Sequence, residues 1–223
     1  GDKESINIDL ISTRAQYEPG SSLKIFSIGL ALEQGLLDEK TEYYVEDTIE
    51  LIENSCQKDF KGYKGCYRDF LKHEPYNLSV KEIIERSSNV GTIIATKDLR
   101  INDLEEFLSK FGFSKRTGIE LSGESKGSFD PNKTCTTCLS SLSIGYSINV
   151  TQMQMVKAYS IIANGGKNVA LTLIKAPYSN YSPNQVIDSN SSERLKNLLI
   201  NVVEGENGTG RSIFMENYTI GGK

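Results

Sequence analysis

The stretch Tyr17-Glu18-Pro19-Gly20-Ser21-Ser22-Leu23-Lys24, which runs without a break into an apolar segment, constrains this chain more than any other. Pro19 and Gly20 interrupt extended backbone. From Ser21 onward Leu23, Ile25, Phe26, Ile28, Leu30 and Leu32 carry the spacing of a largely buried helix that ends near Gly35. Ser21 then sits in the first turn, and Lys24, three residues on, shares its face. A protonated lysine cannot accept a proton. For Lys24 to serve Ser21 as a base, it has to be held neutral by burial and by a second cation nearby. The unpaired N–H groups of the first turn would face an oxyanion formed on whatever Ser21 attacks. By itself Ser-x-x-Lys is a weak signal, because an N-cap serine and a surface lysine on a core helix account for it as well.

Two further pieces follow in order. Ser79-Val80-Lys81-Glu82 is a capping box that opens a short helix through Ile83 and Ile84 and delivers Ser87-Ser88-Asn89 at its end. The tight turn is expected to face Ser87 and Asn89 one way and Ser88 another; serine and asparagine are also common as plain turn formers. Tyr218-Thr219-Ile220-Gly221-Gly222-Lys223 is a strand-like run closing on a lysine. Ser-x-x-Lys, Ser-x-Asn and Lys-Thr-Gly form a known catalytic set; the third is present here as far as its lysine.

On these motifs the chain resembles the transpeptidase domain of class B penicillin-binding proteins, of the septal cell-division type. Arg14-Ala15, Phe111-Gly112-Phe113, Thr117-Gly118-Ile119-Glu120-Leu121, Ser143-Ile144-Gly145-Tyr146 and Ala163-Asn164-Gly165-Gly166 extend the resemblance over most of residues 14–223. It implies an α+β, penicillin-binding-protein/serine β-lactamase-like fold, a helical lobe plus an antiparallel sheet. Residues 1–223 are then one partial transpeptidase domain without the first and last sheet strands, with anchor and pedestal regions outside, and catalytically incomplete by themselves. It also implies peptidoglycan D,D-transpeptidation, with β-lactams as covalent inhibitors. Ser21 is the nucleophile, Lys24 the base and Ser87 the proton relay. Asn89 binds the substrate amide, and Lys223 recognises the substrate carboxylate and keeps Lys24 neutral. No cofactor is required. The implied partners are a D-Ala-D-Ala stem peptide and a membrane glycosyltransferase of the cell-division or elongation machinery. The implied location is the periplasmic face of the bacterial inner membrane. A D,D-carboxypeptidase or serine β-lactamase shares the motifs, although no Glu-x-x-Leu-Asn segment supplies a deacylating base. A non-catalytic β-lactam-sensing or divisome scaffold module stays open as the reading in which Ser21 is dispensable.

A net charge of -4 with no sustained Lys/Arg block argues against nucleic acid as a partner. No stretch approaches the roughly 20 apolar residues of a membrane span. Residues 1–16 read as a polar connector with a short Ile6 to Ile11 alternation, residues 43–51 as extended, and residues 53–78 as a loop. Helices are expected over residues 89–99 and from Ile101 to Phe111. The Gly- and Pro-containing stretch 112–142 is expected to be turn-rich. Thr151-Gln152-Met153-Gln154 caps a helix whose apolar face is Met155, Val156, Tyr159, Ile162 and Ala163. Residues 169–174 are β-branched and expected as a strand, and residues 190–203 as a capped helix.

His73 is the only histidine, which leaves a Ser-His-Asp triad without support unless it lies at the site. Four cysteines allow three pairings. Local pairs, Cys56 with Cys66 and Cys135 with Cys138, are preferred, the latter in a surface loop without helix. The rival is zinc held by Cys56, Cys66, Asp69 and His73, or by all four thiols.

Overall fold

In a computed structural model of the chain, residues 10–58, 65–130, 135–175 and 183–223 are described. A 3-10 turn, Gly20–Leu23, leads directly into helix α2, Lys24–Glu33, in which every residue from Lys24 to Leu32 is buried. A helix apolar on all sides has to be surrounded. Around it pack α3 (Val80–Arg86), α4 (Asn89–Ala95), α5 (Ile101–Lys110) and α8 (Ser189–Glu204), while α7 (Gln152–Ala163) lies against α8. Phe26 meets Phe111, Phe113 and Tyr159 edge-on at 4.9, 5.4 and 5.6 Å between ring centres, the preferred geometry for aromatic pairs. At Gly29 the α8 residue Leu195 comes so near that a Cβ would lie 3.0 Å from it.

The strands form three antiparallel pairs. β1 (Glu42–Val45) pairs with β4 (Tyr76–Ser79), β2 (Thr48–Glu50) with β3 (Cys66–Arg68), and β5 (Ser128–Phe129) with β6 (Ile148–Asn149). The α+β class stands, with only short, separate pieces of sheet among the described residues.

Both capping boxes are present: Ser79 accepts from Glu82 N and Thr151 from Gln154 N, with each N3 side chain bonded back to the cap. α8 begins at Ser189, one residue before the expected start, and is capped by Asp188. Several expectations are corrected. Residues 10–16 are not only a connector, since Ile11–Arg14 is a short helix, α1; residues 1–9 lie outside the described part. The stretch 53–78 contains β3 and β4, and residues 59–64 of it are outside the described part. The stretch 112–142 contains β5 and helix α6, Cys138–Ser143, with Pro131 outside. Cys135 and Cys138 are bonded, yet Cys138 opens α6 and is buried, so the helix-free surface loop is wrong. Packing of Leu142 and Ser143 carries a helix too short and Ser-rich for its sequence to announce. Residues 169–174 form no strand: Leu173 and Ile174 are exposed, and the Thr172 hydroxyl and Leu173 N–H donate to the Glu120 carboxylate. Tyr218 to Lys223 forms no strand: Tyr218 makes only an isolated bridge with Met215, and Gly222 N–H donates to Leu199 O at 3.1 Å. In α7 the buried side chains are Gln154, Met155, Ala158, Ile161 and Ile162, leaving Val156 exposed.

Glu85 ties α3 to the segment beyond α8. Its carboxylate accepts from Asn201 Nδ2 at 2.7 Å and Asn207 N at 2.6 Å, and its carbonyl accepts from Thr209 N at 3.2 Å. A buried carboxylate with these donors should not be removable without orphaning them. Glu85→Ala is expected to lower stability by about 3 kcal/mol, read from the urea midpoint; a change below about 0.5 kcal/mol would contradict the latch.

Candidate active site

The turn carrying Ser21 is held by backbone. Gly20 N–H donates to Gly145 O at 3.0 Å, Tyr17 and Val150 exchange both backbone bonds, and the Ser147 N–H donates to Glu18 Oε1 at 3.0 Å. Gly145 has φ +88°, and any Cβ there would collide with the Gly20 carbonyl oxygen. The Tyr159 hydroxyl, pushed well above its ordinary pKa by burial, donates to Ser22 O at 2.8 Å. The helical period puts Tyr159 on the inner face of its helix, as found, but nothing in the pattern announces its bond to the nucleophile turn.

Lys24, the first residue of α2, has no exposure at all. Its Nζ donates to the backbone carbonyl of Ser87 at 2.6 Å. Burial, and after it the charge of Lys223, lower its pKa from 10.5 to about 7, against the opposing pull of Asp69. Lys223, half-buried, is itself lowered to about 8 by burial. Close to neutral pH the Lys24 amine is therefore available as a proton acceptor.

Ser87 ends α3 in the left-handed region, φ 61° and ψ 34°. This costs a non-glycine residue about 1–2 kcal/mol and persists where surroundings dictate it. Here the Ser87 and Ser88 N–H groups close the α3 terminus on Ile84 O and Ile83 O. Ser88 is buried and caps α4 by accepting from Gly91 N at 2.8 Å. Ser87 and Asn89 are half-buried. The Asn89 Nδ2 donates to Arg68 O at 2.7 Å. That leaves its amide a second N–H and its oxygen for a ligand.

The zinc reading is corrected. Cys56 and Cys66 form a disulfide, as do Cys135 and Cys138, so no sulfur of either ligand set is a thiolate. Asp69 and His73 do meet, Oδ2 to Nε2 at 3.1 Å, with the His73 ring stacked on Tyr76. The sequence offers Asp69 only as a metal ligand; besides His73 it meets Ser88, Asn89 and Val90, which lie about twenty residues away along the chain and leave no local signal. A polar groove of about 770 Å3 between α3 and α8 contains none of Ser21, Lys24, Ser87, Asn89 or Lys223.

Residues 3–223 match the family model described as the penicillin binding protein transpeptidase domain. Stage V sporulation protein D of Bacillus subtilis is 28% identical over 219 residues, covering 93% of this chain and 32% of that protein. The probable peptidoglycan D,D-transpeptidase FtsI of Caulobacter vibrioides is 26% identical, with 93% and 33% covered. Penicillin binding protein 3 of Mycobacterium tuberculosis, solved with ampicillin, matches with TM-score 0.76 at 26% identity, over 92% of this chain and 46% of that one. A peptidoglycan glycosyltransferase structure from Burkholderia ambifaria has TM-score 0.84 at 21% identity, over 98% and 66%, a likeness of fold. The chain spans about a third of the length of these curated relatives.

Two outcomes are expected. Lys24 binds its proton less tightly folded than unfolded, so between about pH 7 and 10.5 the unfolded chain holds more protons and stability rises with pH. The charging penalty is complete below that window. Urea unfolding of wild type against Lys24→Met should show a steeper rise for wild type across it; equal slopes would contradict a depressed Lys24. Gly145→Ala should displace the Ser21 turn and lower stability by about 2 kcal/mol, read from the urea midpoint; an unchanged midpoint would contradict the close approach to Gly20.

Proposed function

Because the chain belongs to the penicillin-binding protein transpeptidase domain family, in its class B branch, we propose that it supplies the nucleophile and helical lobe of a peptidoglycan D,D-transpeptidase. The observation that carries this is Lys24: a lysine with no exposure, one turn after Ser21, bonded to Ser87 and driven toward neutrality. A structural lysine gains nothing from such a place, whereas a base requires it.

In this reading Lys24 Nζ takes the Ser21 hydroxyl proton as Oγ attacks the penultimate carbonyl of a D-Ala-D-Ala stem peptide. N–H groups at the start of the Ser21 turn face the developing oxyanion. The tetrahedral intermediate collapses with cleavage of the peptide bond. The departing D-Ala amine receives the proton from Lys24 by way of the Ser87 hydroxyl, leaving an ester on Ser21. The amine of a neighbouring stem peptide then attacks that ester, its proton returns through the same groups, and Ser21 is regenerated as the cross-link forms. Asn89 holds the substrate amide with the donor and acceptor its Arg68 contact leaves over, and the Lys223 ammonium pairs with the terminal carboxylate. The two lysines thus divide the work, Lys223 charged and Lys24 neutral, which the ordering of their depressed pKa values, about 8 and about 7, favours. β-Lactams imitate the dipeptide and stop at the ester. Among the described residues no helix is long and apolar enough to cross a membrane. Action at the periplasmic face of the inner membrane, through an anchor elsewhere and beside a membrane glycosyltransferase, belongs to the same proposal.

Intact-mass measurement of the full-length protein after incubation with benzylpenicillin should show one covalent adduct, lost in Ser21→Ala. Lys24→Arg should lose it too, because arginine stays protonated at any usable pH. An adduct retained by Ser21→Ala would move the nucleophile elsewhere. With a D-Ala-D-Ala peptide and an amine acceptor, the expected product is the amide; release of the free acid alone would indicate hydrolysis instead.

A further inference from the structure

The Ser87-Ser88-Asn89 turn is gripped from outside its own helices by one carboxylate. Asp69 Oδ1 accepts from Asn89 N at 2.6 Å and Val90 N at 3.0 Å, and Oδ2 accepts from Ser88 Oγ at 2.7 Å and faces His73 Nε2 at 3.1 Å, the one titratable side chain hydrogen-bonded to the carboxylate among the described residues. The preceding residue joins in, since Arg68 O accepts from Asn89 Nδ2. The Asp69 side chain is only 7% exposed, so these bonds are shielded from water.

The grip is firm because Asp69 is itself immobilised. It follows directly on β3, where Cys66 is bonded to Cys56 and the Tyr67 hydroxyl lies 2.7 Å from Ser141 Oγ on α6. Its own N–H donates to Asp47 O at 2.9 Å. Helix α4 does not need the carboxylate to begin, since Ser88 already provides the cap by accepting from Gly91 N. What the carboxylate adds is orientation. It accepts the hydrogen bond of the Ser88 hydroxyl, so that the oxygen turns a lone pair to Gly91 N–H, and it fixes the two backbone amides that follow. The residues on either side of Ser88 are Asn89 and Ser87, and the Ser87 carbonyl is the one that Lys24 bonds.

We infer that Asp69 is a positioning residue of the acyl-transfer site, holding the Ser87-Ser88-Asn89 turn in register with Lys24 before substrate arrives. The inference rests on the transpeptidase reading for its functional consequence. A second effect follows from the same placement. The Asp69 charge favours the ammonium form of Lys24, while burial and the Lys223 charge favour the amine. Asp69 therefore moderates the base as well as seating its partner. A residue that merely stabilised the fold would leave the titration of Lys24 where it is.

The test compares the full-length protein with Asp69→Asn, following the rate constant for acylation by benzylpenicillin over about pH 6 to 9, together with thermal melting. Asp69→Asn is expected to slow acylation about tenfold or more through misplacement of the turn. The rising limb of its pH profile should move to lower pH, because an opposing negative charge has been taken from Lys24. A rate within about twofold of wild type, or a loss of rate with the limb unmoved, overturns the inference. If Asp69→Asn does not fold, Ser88→Ala takes its place; it keeps the carboxylate on both amides and removes one contact. A several-fold loss of rate with the limb in place supports the inference, and an unchanged rate overturns it. If wild type itself is not acylated, the transpeptidase reading fails on its own. Amide hydrogen exchange at Asn89 and Val90 then decides for Asp69: faster exchange in the variant supports the grip, and unchanged exchange refutes it.

Discussion

Lys24 occupies a place that a core residue would normally take, and most of the helical lobe answers to that fact. A buried ammonium is costly in a low-dielectric interior, and a lysine relieves the cost by giving up its proton. The relief depends on water being kept out. The rings of Phe26, Phe111, Phe113 and Tyr159 and the close seating of Leu195 over Gly29 belong to the packing of the helix that Lys24 begins, in which every residue from Lys24 to Leu32 is buried. The amine keeps a hydrogen bond to the Ser87 carbonyl, so it is desolvated without being orphaned. Core packing and site chemistry are here the same interaction, since a looser core around α2 would let the lysine regain water and charge.

That bond also dictates how distant parts of the chain converge. Ser87 has to turn its carbonyl toward α2, and the left-handed backbone at its position does so. The capping box at Ser79 sets where α3 starts and hence where it ends; Ser88 starts α4 in the next step. Strand β3 approaches from the other side with Arg68 and Asp69. Three segments far apart in sequence thus share one short turn, and none of them could set it alone.

The parts that are legible in the sequence are those written locally. Apolar spacing of three and four, the two capping boxes and the glycines after helices describe α2, α3, α5, α7 and α8 within a residue or two. The site motifs are readable for the same reason, because each lies on one turn or helix end. What the sequence conceals is defined by partners. β3, β5 and β6 are two or three residues long and exist only as paired neighbours, and α6 is held by packing rather than propensity. Residues 169–174 have the β-branched composition of a strand, and among the described residues they pair with none. Val156 satisfies a helical period yet faces outward, while the polar Gln154 is buried, its Nε2 donating to the Lys115 and Lys126 carbonyls. Asp69 is visible as an acidic residue near a histidine and a cysteine, and that local company points to a metal rather than to a helix start folded against it.

The mount of the nucleophile turn has a different kind of consequence. Gly20 is bonded through N–H to Gly145 O, Ser22 through its carbonyl to Tyr159, and Tyr17 through both main-chain groups to Val150. On the turn itself these attachments are made by main-chain groups, so Tyr159 and Glu18 are the side chains on which the stance of Ser21 depends. Tyr17 and Tyr146 project from this mount, 41% and 48% exposed. Tyr17 and Tyr146 can therefore be recoloured, aromatic for charged or large for small, while the Ser21 oxygen keeps its address. At Gly145 the mount is intolerant in another way, since what matters there is an empty space.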